Sequence, residues 1–464
     1  MGFIKNRSRI LSSLSQWVTA IGITLGVFFQ ASEGYGAFAS RFSLSAGEGY
    51  DDNIFFRKAK EHDFITTITP TLSLFYAPPA QTVPTLNLNI GTSGQVFANH
   101  SELNNIGDNV SVNGGYTYRY SPRLNFHISE SFQRFGDTRI PGLPEDGLVQ
   151  PPPTPTAPPP TGGTVPSPVD QRLKDFISRG SQITNHVSLH GSFLYRPDVS
   201  FTGSYANTYT SFLDIGGSDR FHTAGFRGVY NWRQDHNLHA GYSISFGRAR
   251  NGDDSVIHTF DFGDDYFSGL TYQLTPTLSL SASTGISFNA GKDGPSVVNN
   301  STATITKLWE AATLTGGVRK GLTPSFGVSG ISDTVSFFTY FNVRLTERLS
   351  ASATADFSLF NTEDVNFKTL GNSAGIQYLI TSWLSSNLLY RFRWIDSGAG
   401  AVNTNLLDRG VVTGNSVFLY LTASFDLWPT VGLARSMTSP SLTPTPILRT
   451  PFPTPSVSSA PATP

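Results

Sequence analysis

The chain has 464 residues and a formal net charge of −1, with 32 Lys and Arg against 33 Asp and Glu. This balance lacks the strongly basic surface that nucleic-acid backbones attract, so we expect no nucleic acid among its partners. The absence of cysteine excludes disulfides, thiolate-ligated metals and a cysteine nucleophile. Only 14% of residues are charged, whereas soluble domains carry about 25%. The composition therefore points away from an ordinary soluble surface.

Residues 1–39 have the three parts of a secretory signal peptide. Three basic residues lie within the first nine, an apolar stretch follows at 17–29, and Ala37-Phe38-Ala39 has the A-x-A form of a cleavage site. The apolar stretch is shorter than the roughly 20 residues that a membrane-spanning helix requires. We therefore expect cleavage after Ala39 and export, rather than an uncleaved membrane anchor.

From residue 40 to residue 428, apolar and small polar residues alternate with period two in long segments such as 349–359 and 417–425. These segments exceed the usual globular strand of about 5–6 residues. Strands that cross a hydrocarbon layer must pair all their backbone groups and hence close on themselves. The sequence therefore predicts an all-β fold: a transmembrane antiparallel up-and-down β-barrel of about 18 strands, with 16 as the fallback.

The connections between the predicted strands alternate in length. Short turns are predicted at 120–122, 196–198, 233–235, 275–276, 346–347 and 381–382, and longer loops at 51–62, 98–108, 213–219, 249–255, 290–299 and 395–410. An even strand number places both termini in the periplasm and the long Pro-rich segment 136–181 outside the cell. Residues 429–464, rich in Pro, Ser and Thr, are predicted to form a disordered periplasmic tail.

Aromatic residues lie near many of the predicted strand ends. They are Tyr116, Tyr118, Tyr230, Trp232, Trp309, Trp383, Trp394 and Trp428. Amphipathic rings at headgroup depth form the aromatic girdles of membrane barrels. The alternative is the ordinary enrichment of aromatic residues in strands.

The end of the first predicted strand carries a six-residue motif, Tyr50-Asp51-Asp52-Asn53-Ile54-Phe55. Together with the segment 63–74 that follows, it resembles the opening of the β-barrel porin 2 family of outer-membrane proteins, which are often encoded beside exopolysaccharide genes. The resemblance covers the first hairpin and implies an outer-membrane barrel. It also implies saccharides as possible solutes.

The oxygen-rich part of this motif, Asp51 to Asn53, has two interpretations. Clustered carboxylate and amide oxygens could bind a hard cation such as Ca²⁺. Asp and Asn more often cap a turn by accepting hydrogen bonds from nearby amides, which we favour. The Asp pairs at 253–254 and 264–265 lack the ligand spacing of an EF-hand loop. We predict no metal and no cofactor.

Seven arginines fall on the polar side of the predicted strands and are expected to line the lumen: Arg119, Arg196, Arg227, Arg319, Arg344, Arg391 and Arg393. A lipid-facing arginine would cost roughly 2–4 kcal/mol at the bilayer midplane. Three of the seven lie at predicted periplasmic strand ends and could form a basic ring that attracts anionic solutes or acidic polysaccharide: Arg119, Arg196 and Arg344. The alternative is local pairing with Asp198 or Glu347.

No enzymatic apparatus is visible in the sequence. His186, Ser188 and His190 share a strand face, but alternation alone produces that, and no local catalytic motif is present. We predict a non-enzymatic porin-like channel or conduit for small solutes or saccharides, in contact with outer-membrane lipid and inserted by the outer-membrane machinery. The alternatives are a structural or adhesive protein whose barrel anchors 136–181, and a soluble β-sandwich or solenoid.

Overall fold

The computed structural model describes residues 37–77, 86–135, 181–213, 217–233, 236–248, 254–264, 278–291, 294–324, 331–361, 366–397 and 410–428. These residues form one short 3-10 helix at Ser101–Leu103 and 18 strands. The strands are β1 Ala37–Asp51, β2 Asp63–Ala77, β3 Leu86–Phe97, β4 Asn105–Ser121, β5 Leu124–Phe135, β6 Gln182–Arg196, β7 Val199–Phe212, β8 Ser218–Arg233, β9 His236–Arg248, β10 Asp254–Asp264, β11 Leu278–Gly291, β12 Gly294–Leu308, β13 Ala312–Pro324, β14 Ile331–Arg344, β15 Leu349–Asn361, β16 Asn366–Leu379, β17 Leu384–Ser397 and β18 Gly410–Trp428. Within the described ranges, no helix has the length and apolar content needed to cross a membrane.

Each strand pairs antiparallel with its neighbours in the chain, and β1 also pairs with β18. The closing ladder runs from Ser40 opposite Trp428 to Asp51 opposite Ser416. The sheet therefore has no free edge, and its backbone groups are paired without help from water. The prediction of an 18-stranded antiparallel up-and-down barrel is confirmed.

Side chains alternate between an inner and an outer face along every strand. The outer face is apolar, with exposed fractions of 60% for Phe64, 58% for Phe226 and 51% for Leu419. The inner face carries mainly hydroxyl, amide and charged groups. In 349–359 and 417–425 the apolar set lies outside, as predicted. A closed wall with this polarity suits a hydrocarbon surrounding and excludes the sandwich and solenoid alternatives.

The two ends of the barrel differ in their connections. Both chain termini of the barrel lie at one end, here called the terminus end, where β14 and β15, for example, are joined by a tight turn. The Thr346 hydroxyl accepts hydrogen bonds from the backbone amides of Arg348 and Leu349 in that turn. Ser121 and Thr381 do the same in two other turns. Small hydroxyl residues thus explain why these hairpins are short.

The opposite end, here called the loop end, carries the longer connections 52–62 and 98–104. One predicted loop there is wrong: 290–299 belongs mostly to β11 and β12, which pair up to Gly291 opposite Gly294. Its Gly, Asn and Ser residues suggested a loop, but the barrel ladder supplies backbone partners that override this weak local preference. The predicted loop 98–108 is also shorter, because β4 begins at Asn105.

Several predictions fall outside the described residues. They concern most of the signal peptide, the segment 136–180, and the tail 429–464. β1 begins at Ala37, inside the predicted cleavage motif. Cleavage after Ala39 would remove the first three residues of β1 and keep its pairing with β18, which starts at Ser40. β5 ends and β6 begins at the loop end, away from the termini.

The aromatic residues predicted to form girdles lie on the outer surface where their side chains are described. Tyr118, Tyr230, Trp309 and Trp383 are exposed near the terminus end. Trp383 stacks on Phe425 with 5.8 Å between the ring centroids. This arrangement fits rings at headgroup depth. The side chains of Trp232 and Trp428 lie outside the described set.

Candidate functional site: the inner face of the barrel

Six of the seven predicted arginines lie on the inner face, as strand alternation and cross-strand pairing show. They are Arg119, Arg227, Arg319, Arg344, Arg391 and Arg393. Arg319, for example, lies opposite Ser336, which is only 4% exposed and points inward. The arginines reach this face because the alternative position would be in lipid.

The seventh arginine, Arg196, departs from the prediction. An irregularity between Leu194 and Arg196 shifts the register, so that Arg196 pairs with Val199 at the turn between β6 and β7. Its guanidinium lies 3.3 Å from the Asp198 carboxylate, and both side chains are exposed. Local pairing with Asp198, the alternative considered above, is therefore correct for this residue.

Two of the inner arginines are buried in ion pairs. Arg393 Nη2 lies 3.0 Å from Asp51 Oδ2, with side-chain exposures of 8% and 1%. Arg227 Nη2 lies 3.4 Å from Asp261 Oδ2, and His239 Nε2 lies 3.5 Å from the same oxygen. Each arginine pair bridges two strands across the one that lies between them, β1 to β17 and β8 to β10. Because the charges in these groups offset one another, they connect strands more than they attract solutes.

Three other inner arginines are exposed to the lumen: Arg119, Arg319 and Arg344. Arg119 donates to Asn125 Oδ1 at 3.2 Å. Across the described part of the chain, none of the three has a carboxylate within ion-pair distance. Arg119 on β4 and Arg344 on β14 lie near the terminus end, on opposite sides of the barrel. The inner wall therefore carries uncompensated positive charge at that end.

The motif at 50–55 ends β1 and folds inward. Asn53 is fully buried, and its side-chain amide donates to the carbonyls of Arg57 at 2.7 Å and Thr413 at 2.8 Å. Asn53 Oδ1 accepts from the Arg57 amide, and Asp51 Oδ1 accepts from the Asn53 amide. Asn53 thus replaces ladder hydrogen bonds that the chain loses as it leaves the strand.

Asp52 fastens the same turn to β18. Its carboxylate accepts from the backbone amide of Asn415 at 2.6 Å, from the Asn415 side chain at 2.9 Å and from Lys60 at 3.0 Å. Partial burial works to raise the pKa of Asp52, but the hydrogen bonds from Asn415 and Lys60 outweigh it and hold the pKa below its usual value. The oxygens of the motif are engaged by protein donors, which supports the turn interpretation over Ca²⁺ binding.

Apolar residues of the loop pack against inward-facing rings. Ile54 joins Ile65, Phe97, Phe418 and Tyr420 in a buried cluster at the loop end. The rings of Phe418 and Tyr420 are stacked 5.8 Å apart and lie over glycines of β1. The polar side of β18 therefore includes two aromatic residues that seat the loop against the wall.

Phe56 has a structural role at the loop end that the sequence alone did not indicate. It has φ of +46°, a left-handed conformation that non-glycine residues seldom adopt. Its ring lies 4.9 Å from the Arg393 guanidinium carbon, and the ring packs 3.3 Å from where a side chain on Gly414 would begin. The loop thus caps the Asp51–Arg393 pair. A positive φ at a Phe has no local sequence signal.

His100 links two loop-end connections. Its Nδ1 lies 2.9 Å from Asp63 Oδ2, and its Nε2 lies 3.3 Å from Glu61 Oε2. Asp63 also accepts from the backbone amides of Asn99 and His100. The hydrogen bond with Asp63, followed by that with Glu61, raises the pKa of His100 above its ordinary value, although burial opposes this.

Burial of the inner face changes along the barrel axis. Near the loop end, Thr210, Ser332 and Ser358 are 0% exposed and Ser416 is 3% exposed, although they belong to strands on different sides. Toward the terminus end, inward residues such as His127 and Arg344 are exposed. Buried inward residues are therefore most numerous near the loop end, although His239 and Ser73 near the terminus end are buried too.

The inner wall between these ends is lined by hydroxyl pairs. Cross-strand hydrogen bonds join Ser43 to Ser424 and Thr354 to Ser373, at 2.9 and 2.6 Å. Ser188 is bonded to Ser129 at 2.6 Å and His186 to Thr208 at 2.8 Å. In both cases the hydrogen-bond partner is a hydroxyl group on a neighbouring strand. No group of three acidic or His side chains in the described ranges is placed to hold a metal.

No family model matches the chain, and no curated protein sequence matches it. The solved structures similar to it include the Pseudomonas aeruginosa protein OccK2 (OpdF), at 12% identity and a TM-score of 0.44, and OpdK from the same organism with vanillate, at 12% identity and 0.41. Acinetobacter baumannii OccAB3 is 10% identical, with a TM-score of 0.38. The similarity covers 84% of this chain and 98% to 99% of theirs.

Proposed function

We propose that this chain forms a passive outer-membrane channel for small polar solutes, with a preference for anions. The observation that carries the proposal is the set of three exposed inner arginines without carboxylate partners in the described ranges: Arg119, Arg319 and Arg344. Uncompensated charge inside a low-dielectric wall raises the local concentration of counter-ions. A solute that passes such a wall experiences this field over most of its path.

The location in the outer membrane is supported by the outer surface of the barrel. A closed wall with an apolar exterior and exposed Tyr and Trp near the terminus end fits a bilayer with polar faces. Export behind a signal peptide cleaved after Ala39, and insertion by the outer-membrane machinery, belong to the same proposal. The mature chain would then begin at Ser40, the first residue of β1 that pairs with β18.

The solute class follows from the lining of the lumen. Hydroxyl pairs such as Ser45 with Thr422 and Thr223 with Ser245 present neutral donors and acceptors, as sugar hydroxyls require. Arginine supplies paired donors that match a carboxylate. Acidic saccharides would satisfy both features, and the resemblance of residues 50–55 to the β-barrel porin 2 family supports the same class.

The test is the ion selectivity of the purified full-length protein in planar bilayers. In a KCl gradient, we expect open channels whose reversal potential has the sign of an anion preference. Arg119→Gln, Arg319→Gln and Arg344→Gln combined should lower the anion-to-cation permeability ratio severalfold. Lys320→Gln with Lys368→Gln, on the outer face, is the matched control and should leave the ratio unchanged.

Two results would contradict the proposal. A correctly folded barrel that gives no channels would exclude transport, although it would leave the fold intact. A triple variant with the selectivity of the control would show that the inner arginines do not face the permeating ions.

A further inference from the structure

Two arginines lie side by side on the outer face near the loop end. Arg220 on β8 is the direct cross-strand partner of Arg248 on β9, and Arg248 is opposite Asp254 on β10. We call these three residues the arginine row. The three side chains point outward, because they lie an even number of positions along their strands from outward-facing rings or opposite such a residue. These rings include Phe246 and Phe260, which are exposed on the apolar outer face.

The arginine row has a surplus positive charge. Arg248 Nε lies 3.7 Å from Asp254 Oδ1, and both side chains are more than 70% exposed, so this ion pair is weak. Arg220 has no carboxylate within ion-pair distance anywhere in the described ranges. Like charges placed directly opposite each other on a sheet destabilise it. A bridging anion from outside would remove this repulsion.

An apolar strip runs from the arginine row toward the membrane midplane. The His222 ring stacks on Phe246 at a centroid distance of 4.9 Å, one row below the arginines. Two rows further down, Phe226, Tyr242 and Phe260 lie side by side, and the last two rings are 4.9 Å apart. Successive rows are separated by about 7 Å, which places the strip along the length of an acyl chain.

We propose that the arginine row and this strip bind a phosphorylated membrane lipid. The lipid phosphate would accept hydrogen bonds from Arg220 and Arg248, since guanidinium groups match phosphate oxygens in a bidentate geometry. Its acyl chains would lie along Phe246, Tyr242 and Phe260. Charge complementarity selects the headgroup, and the continuous apolar strip selects a lipid over a free anion. The site faces away from the lumen and does not depend on transport.

The experiment uses the full chain, purified in a neutral detergent, and lipid A as the probe, with binding followed by native mass spectrometry. We expect Arg220→Gln with Arg248→Gln to weaken lipid A binding about tenfold or more, because charge-assisted hydrogen bonds are lost. Lys320→Gln with Lys368→Gln removes the same charge from the outer face of other strands and is the matched control. It should bind lipid A like the unaltered protein.

Either of two outcomes overturns the proposal. Equal weakening by both double variants would mean that lipid A responds only to overall charge. Inorganic phosphate that binds as tightly as lipid A would mean that the apolar strip contributes nothing. Loss of channel activity with retained lipid binding would bear on the proposed function alone, so the two failures are distinguishable.

Discussion

Two ion pairs close the barrel between its first strand and its last strands, and they lie in contrasting surroundings. Arg41 Nε lies 2.7 Å from Asp426 Oδ1 at the terminus end, with side chains 21% and 35% exposed. Asp51 and Arg393 are 3.0 Å apart at the loop end and almost fully buried. The shorter contact is the more exposed one. Burial, rather than distance, therefore decides which pair the structure depends on.

The inner arginines show the same contrast. Arg393 near the loop end is a structural residue, enclosed by Asp51 and Phe56 and withdrawn from solutes. Arg119 and Arg344, which have no carboxylate within ion-pair distance in the described ranges, project into the lumen near the terminus end. One residue type thus has two roles, and a neighbouring carboxylate distinguishes them.

The largest expected effect comes from breaking the buried pair. Asp51→Ala removes the buried carboxylate that lies 3.0 Å from Arg393 Nη2 and should lower the free energy of unfolding by about 3–5 kcal/mol. Asp426→Ala, its matched control at the exposed pair, should cost at most about 1 kcal/mol. Urea unfolding of the refolded barrel in lipid vesicles measures both. Equal losses would refute the distinction between the two ends.

A smaller effect is expected from the packing that supports the loop end. A methyl group on Gly49 would overlap the Phe418 ring, so Gly49→Ala must displace the ring and should destabilise the barrel by about 1–3 kcal/mol. Gly203→Ala is the control, since nothing lies within 4 Å of the added methyl. The same unfolding assay applies. A Gly49→Ala barrel as stable as Gly203→Ala would show that Phe418 is not seated there.

The smallest expected effect is a pH dependence of barrel stability that comes from His100 at the loop end. Because the folded-state pKa of His100 is raised, its protonated form stabilises the loop end. This contribution is complete below the unfolded pKa of about 6.5 and is lost as the pH rises through the folded pKa. The melting temperature should therefore decline over that window. His100→Gln should flatten the decline, while His127→Gln, near the terminus end, should retain it.

Much of the fold could be predicted because a hydrocarbon surrounding imposes strict rules on a strand. Apolar alternation in 349–359 and 417–425 fixes the outward face, and the cost of charge in lipid fixes the face of Arg319 and Arg393. The position of Arg196 could not be predicted because the alternation of residue types does not reveal a register irregularity. The strand structure of 290–299 could not be predicted because its composition suggests a loop, whereas its cross-strand pairing makes most of it strand.

The candidate site was less predictable because its contacts are remote in sequence. Asp51 and Arg393 are separated by 342 positions, and no periodicity links them. The inward fold of Ile54 and the left-handed backbone of Phe56 depend on rings supplied by β18. The motif 50–55 could be recognised as unusual, but its role as a fastening between the first and last strands required the closed barrel.

The central claim, a water-filled inner face that conducts solutes, is tested most directly by cysteine labelling during conductance measurements. The natural chain has no cysteine, so single substitutions report without background. Ser352 and Ala353 are neighbours on β15 that face inward and outward respectively. A charged, water-soluble thiol reagent should react with Ser352→Cys and reduce the channel current, and should leave Ala353→Cys unlabelled in the bilayer. Equal labelling of both, or labelling of Ser352→Cys without any current to reduce, would contradict the account.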